Sequence, residues 1–383
     1  MNFSYYLPTR IVFGFGALQS LQKEASQFNT AKALLVTDRV MVKTGVVERV
    51  VKALGEATVE VYDGVEAEPR IEVAQSVGER VRQGGYGLVV GVGGGSCMDM
   101  AKVAAGLATN PGPARGFVGN NLFVKPSLPS IMVPTTAGTG AELTVTSMVT
   151  VDGHKQWINS PFLLPNVAIV DPELTMTMPQ SVTAATGLDA LCHNAEAYLS
   201  AAASPITDSI ALEGVRLISG NLERAFDDGS DREARESMSL GALLGGISLQ
   251  AKMVYGHSIG YTIATRFRLP HGVSCGIPLP YVISGYAAAC APKMSKLADA
   301  FGVDAGGQEP AKLGGAIGRR VIELLKHLRI PTNMKELGVK EEELPALARE
   351  CLDMYPRPNS PLVFDQGSMY AFYQTMWEGR LSA

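Results

Sequence analysis

Asp189 and His193 stand four residues apart in Thr186-Gly187-Leu188-Asp189-Ala190-Leu191-Cys192-His193. On a helix that spacing puts both side chains on one face. His257 and His271 follow in Tyr255-Gly256-His257-Ser258 and Leu269-Pro270-His271-Gly272. One carboxylate and three imidazoles suit a divalent transition metal such as Fe(II) or Zn(II), with coordination left open for an alcohol oxygen. Taken alone, any one of these histidines is more often a satisfied core residue than a ligand. The chain has only five histidines, however, and three fall in apolar, glycine-flanked helical stretches, which favours a shared site.

A second constellation suits a phosphate. Val89-Val90-Gly91-Val92-Gly93-Gly94-Gly95-Ser96 runs into Met98-Asp99-Met100-Ala101-Lys102 and reads as strand, glycine turn and helix. Glycines let the backbone approach a pyrophosphate, and the helix start offers free N–H groups that Ser96 can help to cap. The spacing does not match the G-x-G-x-x-G fingerprint. A structural turn is the competing reading. Asp38 follows a strand where a carboxylate can bind ribose hydroxyls and repel a 2′-phosphate, although an ordinary turn aspartate fits there too. Pro134-Thr135-Thr136-Ala137-Gly138-Thr139-Gly140 follows a later strand. Its small and hydroxylated residues suit a loop against a nucleotide, or a polar surface loop.

Two kinds of element must position these groups. In the first half, β-rich runs at 33–37, 58–62, 88–92 and 131–133 alternate with helical stretches at 46–54 and 71–82, a pattern that predicts a parallel sheet covered on both faces. From about Ser181 onward helix formers dominate, with helices expected at 184–202, 205–222, 233–247, 293–301 and 317–327. Prolines near 172 and 179 mark the boundary. The expected architecture is a Rossmann-like parallel-sheet α/β domain over 1–176 for dinucleotide binding, then an all-helical metal- and substrate-binding domain over 177–383. A net charge of -4, from 33 basic and 37 acidic residues, offers no broad basic surface for nucleic acid. No apolar run reaches membrane-spanning length, and Met1-Asn2-Phe3-Ser4-Tyr5-Tyr6 does not resemble a secretory signal. Five scattered cysteines read as reduced core thiols in a cytoplasmic protein.

Together these segments resemble the iron-containing, group III alcohol dehydrogenases over roughly residues 5 to 360. Asp189, His193, His257 and His271 fall on the family's four metal-ligand positions, with its spacings of four and fourteen. Gly93-Gly94-Gly95-Ser96 with Asp99 and Lys102 looks like the family's pyrophosphate loop, and Thr135-Thr136-Ala137-Gly138-Thr139 like its nicotinamide-side loop. The resemblance also implies an NAD-favouring carboxylate at Asp38, a cofactor-approaching lysine at Lys155, and cofactor contacts at Thr144 and Leu174. It implies NAD(H), one divalent metal (iron, zinc or manganese), a small alcohol or aldehyde substrate, and a homodimer. In the family the dinucleotide-binding domain meets the helical domain across a cleft.

One departure bears on mechanism. Many members carry a second histidine four residues after the third ligand, and here that position is Tyr261, as in the branch that includes hydroxyacid-oxoacid transhydrogenases. Tyr261 can relay a proton or only shape the pocket. Lys252, five residues before His257, and Arg266 and Arg268, between the last two ligands, can bind an anionic group on the substrate or stand as surface residues. Three alternatives to a dehydrogenase are a transhydrogenase with retained nicotinamide, a dehydroquinate synthase-like lyase, and a non-catalytic binding protein.

Overall fold

Continuous runs of Val, Leu and Ile can become strands only if both faces of their sheet are covered. The computed structural model describes residues 2–55 and 57–382, Thr265 through its backbone only. Its strands are β1 (Arg10–Phe13), β2 (Lys32–Val36), β3 (Thr58–Tyr62), β4 (Leu88–Gly93), β5 (Gly119–Asn120), β6 (Ser130–Pro134), β7 (Thr146–Val151), β8 (His154–Asn159) and β9 (Val167–Val170). Six of them pair in parallel in the order β1-β9-β6-β4-β2-β3. Alternate residues of the central strands serve opposite cores. Leu34, Val36 and Val89 pack with the helices Ile71–Gly84 and Gly95–Thr109. Leu35, Val90 and Val92 pack with the helix Val46–Leu54.

The strand order positions the cofactor loops. The chain passes from β2 outward to β3, then returns across β2 to β4. At such a reversal the carboxyl ends of the two flanking strands open a crevice, where ligands bind in α/β sheets. Thr37-Asp38 leaves the end of β2, and the glycine turn leaves the end of β4.

Three features of this unit differ from the sequence reading. β1 and β9 were not anticipated; both are four-residue strands, too short to show a pattern. A second sheet, β5-β8-β7, was also missed. Its β7–β8 hairpin turns at Asp152 and Gly153, with φ 50° and 81°, the positive pair that a tight hairpin turn needs. Residues 2–5 cluster with the helical unit, whereas Tyr6–Thr177 forms the α/β unit.

From Met178 onward the described residues contain helices and no strand. The Gln180–Leu199 helix, which carries Asp189 and His193, is buried on nearly every side from Thr183 to Leu199. Its small residues let Pro205–Asp227, Arg232–Ser248 and His271–Gly276 pack around it. Tyr255–Phe267 touches Gln180–Leu199 and His271–Gly276 and also packs into a core with Leu344–Met354 and Gln366–Glu378.

Candidate metal centre and cofactor loops

The helical unit brings the four expected ligands together. Asp189 Oδ1 lies 3.7 Å from His193 Nε2, 3.5 Å from His257 Nε2 and 3.6 Å from His271 Nε2. Donors arranged tetrahedrally about 2.1 Å from an ion stand about 3.4 Å apart, so these separations match a shared cation. Asp189 Oδ1 and His257 Nε2 are buried and have no hydrogen-bond partner, a costly state that a cation relieves. Burial pushes the Asp189 carboxyl up, but His193, His271 and His257 outweigh it and hold the group well below the usual carboxylate range. The site thus presents the anionic form that a metal requires.

Local sequence explains how the ligands converge. Asp189 and His193 are one turn apart on the same helix. His271 is the first residue of its helix, between Pro270 and Gly272. A Cβ on Gly272 would lie 1.8 Å from the Ala185 carbonyl oxygen and 2.9 Å from Asp189 Cβ, so only glycine permits the close approach that sets His271 beside Asp189. The other two histidines lie elsewhere: His327 pairs with Asp227 at 2.9 Å, and His154 is exposed on β8.

Two further groups at the centre escaped sequence reasoning. Glu196, fully buried, accepts from His257 Nδ1 at 2.6 Å and from the His257 amide at 3.2 Å. This carboxylate–imidazole pair fixes His257 with Nδ1 protonated and the Nε2 lone pair directed at the metal position. Its signal was present, since Glu196 lies seven residues beyond Asp189, two helical turns along the same face. Cys275 was read as a core thiol. Its Sγ lies 3.7 Å from His271 Nδ1 and belongs to a donor group, with Asp189, His257 and His271, whose atoms lie within 4.8 Å of one another. His193 is absent from that tightest group but approaches the same Asp189 oxygen. Burial pushes the Cys275 thiol up, which disfavours the thiolate that a metal binds and leaves His193 the better ligand.

Tyr261 lies flat against the His271 ring, with centroids 5.5 Å apart and planes at 12°. Lys252, expected as a cation for an anionic substrate group, is exposed and has φ 62° and ψ 151°, a backbone region that glycine normally occupies. Arg266 is ion-paired with Glu350 at 3.2 Å and Glu343 at 3.9 Å, so its charge is already matched. Arg268 is exposed and ends its helix in the left-handed region.

In the α/β unit, the glycine turn has the expected form with one correction. Gly94, not Ser96, is the residue that caps the Gly95–Thr109 helix, with no side-chain cap bond. The helix starts two residues earlier than a Ser96 cap implies, so Ser96 lies inside its first turn. The amides at that start are consequently available to an anion. Gly93 has φ 137° and a virtual Cβ 2.7 Å from Cys97 Sγ, so a side chain there is excluded twice over. Gly95 packs against Thr139, which a Cβ would approach to 2.7 Å. The Thr135 amide donates to the Gly93 carbonyl at 3.0 Å, and Thr136 lies beside Gly94. These contacts bring both loops to one place.

The remaining expected cofactor residues are committed in different ways. Asp38 Oδ1 caps the helix Arg39–Lys43 by accepting from Val40 and Met41 amides at 2.7 and 2.9 Å. Its Oδ2 lies 3.4 Å from Cys97 Sγ, at the mouth of the glycine turn. Asp99 accepts from the Met148 amide at 2.9 Å and pairs with Lys102 at 3.2 Å. Lys102 Nζ, buried, also donates to the carbonyls of Ala141 and Thr146 and to Thr144 Oγ1. Asp99 and Lys102 therefore pin the 141–148 segment, which follows the Thr135–Thr139 loop. Lys155 lies 3.5 Å from Glu68. Leu174 is buried in the core under β4 and β6.

The comparisons with known proteins match this division. The model for iron-containing alcohol dehydrogenases matches residues 8–172, and that for the family's C-terminal domain matches residues 183–377. The chain belongs to the iron-containing alcohol dehydrogenase family. It is 34% identical to long-chain-alcohol dehydrogenase 1 of Geobacillus thermodenitrificans, over 97% of this chain and 98% of that protein. The solved structure of a 1,3-propanediol oxidoreductase superposes with a TM-score of 0.93 at 32% identity, covering 98% of this chain and all of that one. Sulfoacetaldehyde reductase from Bifidobacterium kashiwanohense, solved with NAD+, superposes with a TM-score of 0.89 at 28% identity, over 98% and 99% of the two chains. This dehydrogenase is thus an oxidoreductase acting on CH–OH groups, which sets aside the lyase and non-catalytic alternatives.

Proposed function

We propose that the enzyme is a metal-dependent, NAD(H)-linked alcohol dehydrogenase and aldehyde or ketone reductase. The observation that carries this reading is the convergence of three imidazole nitrogens on one orphaned aspartate oxygen within 3.7 Å. Asp189, His193, His257 and His271 hold the metal; Fe(II) is the proposed ion, and Zn(II) and Mn(II) suit the same donors. When bound, the metal supplies Lewis acidity toward an alcohol or carbonyl oxygen, and the nicotinamide supplies the hydride acceptor or donor. Glu196 holds the His257 tautomer. Tyr261, stacked on His271, forms a wall of the substrate site, and its hydroxyl is the candidate proton relay in place of the family's histidine. The Gly93–Ser96 turn takes the pyrophosphate, and the Thr135–Thr139 loop the nicotinamide side. The same reading makes the enzyme a cytoplasmic homodimer; its five cysteines are buried and free.

A substrate screen with metal-reconstituted protein, followed at the NADH absorbance band, tests this directly. Turnover of at least one short alcohol or aldehyde with free NAD(H) is expected. Failure with every alcohol, joined to activity on a hydroxyacid–oxoacid pair, would establish the transhydrogenase alternative that Tyr261 favours.

Cofactor choice follows from Asp38. Its Oδ2 stands at the end of β2 beside the glycine turn, where a ribose hydroxyl can donate to it and a 2′-phosphate meets negative charge. NAD should have the higher kcat/KM by about tenfold or more, and Asp38→Gly should narrow the gap. Wild-type preference for NADP would reject this role. Asp38→Asn serves as the milder variant, because an amide oxygen can still cap the Arg39–Lys43 helix.

A further inference from the structure

Lys252, Arg266 and Arg268 were the cations expected to meet an anionic substrate group. The structure offers a better-placed one. Arg357 is half-buried, and its Nε donates to Ser258 Oγ at 2.7 Å. Ser258 is fully buried and directly follows the ligand His257. Its hydroxyl proton is directed to the Tyr355 carbonyl at 2.7 Å, so the hydroxyl both accepts from Arg357 and donates to Tyr355. The Tyr355 ring packs 5.0 Å from Tyr261, which stacks on the ligand His271. Arg357 is thereby tethered, through one hydroxyl and a pair of tyrosines, to two metal ligands.

Its charge is unmatched. Among the described residues no carboxylate lies within 4.0 Å of the Arg357 guanidinium, whereas Arg80, Arg115, Arg216, Arg224, Arg266 and Arg320 each have one. A partly desolvated guanidinium without a counter-ion is unfavourable. With Nε held by Ser258, the two terminal nitrogens keep the planar fork that grips an oxyanion through two parallel hydrogen bonds.

We propose that Arg357 is the specificity-determining residue of this enzyme, binding the terminal oxyanion of a short hydroxyalkyl carboxylate, sulfonate or phosphonate, or of the corresponding aldehyde. This rests on the dehydrogenase reading above. Lys252, exposed, is secondary to it.

Matched substrates test the assignment. Wild-type enzyme, metal-loaded and with NAD, is compared on propan-1-ol and 3-hydroxypropionate, and then on isethionate and 2-hydroxyethylphosphonate to separate the three anions. At least one anionic alcohol should exceed propan-1-ol in kcat/KM by about tenfold or more, mainly through KM. Arg357→Met, which keeps the apolar stem, should reduce that ratio at least about tenfold, and Arg357→Lys should restore part of it without the fork geometry. Equal efficiency for charged and neutral substrates in the wild type overturns the proposal while leaving the dehydrogenase reading intact. So does an anion preference that survives in Arg357→Met and disappears in Lys252→Ala. Turnover of none of the four, with activity confined to a hydroxyacid–oxoacid pair, overturns the dehydrogenase reading itself. If Arg357→Met does not fold, the wild-type comparison and Arg357→Lys still decide the matter.

Discussion

Replacing His257 by alanine should remove nearly all bound metal and nearly all turnover. Anaerobically prepared wild type should carry about one divalent metal per chain, since one four-ligand centre is proposed. His257 supplies a donor that is fully buried and otherwise unpartnered at Nε2. Without it the remaining donors bind more weakly, and the oxygen of the substrate loses its electrophile. If that electrophile is worth about 4 kcal/mol in the transition state, kcat/KM falls about a thousandfold. The variant also strands the buried Glu196 carboxylate, and breaking a buried pair of this kind costs about 3–5 kcal/mol of stability. Loss of fold must therefore be separated from loss of metal by circular dichroism on the metal-free forms of both proteins. His327→Ala is the contrasting variant: it breaks an exposed pair with Asp227 and should keep full metal content. A folded His257→Ala protein with normal metal and turnover would refute the site.

The four proposed ligands, which the structure brings together, were readable in the sequence because each rests on a local signal. The Asp189–His193 spacing needs only a helix, and a helix is what the surrounding alanine-rich stretch forms. The glycine turn was readable for the same reason, since Gly93 to Gly95 stand between an apolar strand and a helix. What escaped depends on contacts between distant segments. Glu196 meets His257 across 61 residues and Arg357 meets Ser258 across 99; no spacing rule links such pairs. Asp99 and Lys102, expected with the pyrophosphate loop, are buried and hold the 141–148 segment, because their helix presents them inward to β7. The small β5-β8-β7 sheet was lost among short, mixed runs such as Thr146–Val151, where a half-buried pattern is hard to tell from a loop. Arg266 takes the surface reading of the two left open: it stands close to the proposed ligands in sequence, but its helix turns it outward to Glu343 and Glu350.

Glu196 makes the second large effect. Its Oε1 takes the Nδ1 proton of His257 at 2.6 Å, and its Oε2 takes the backbone amide of the same residue at 3.2 Å. Both acceptors are needed, because each faces a donor. In Glu196→Gln the side-chain oxygen can satisfy only one of them, and the amide NH2 must confront the other. If it confronts Nδ1, the imidazole is driven to the tautomer with the proton on Nε2, where the metal should bind. Metal affinity should therefore fall about 10- to 100-fold in Glu196→Gln, and at least as far in Glu196→Ala. Chelator competition on the folded variants measures this without reference to turnover. Activity at saturating metal should recover in part, because all four ligands remain, and that recovery distinguishes Glu196 from His257, whose loss added metal cannot repair. Unchanged metal affinity in Glu196→Gln would mean that the Gln180–Leu199 and Tyr255–Phe267 helices hold the His257 ring by packing alone, and that the carboxylate has no part in orienting it.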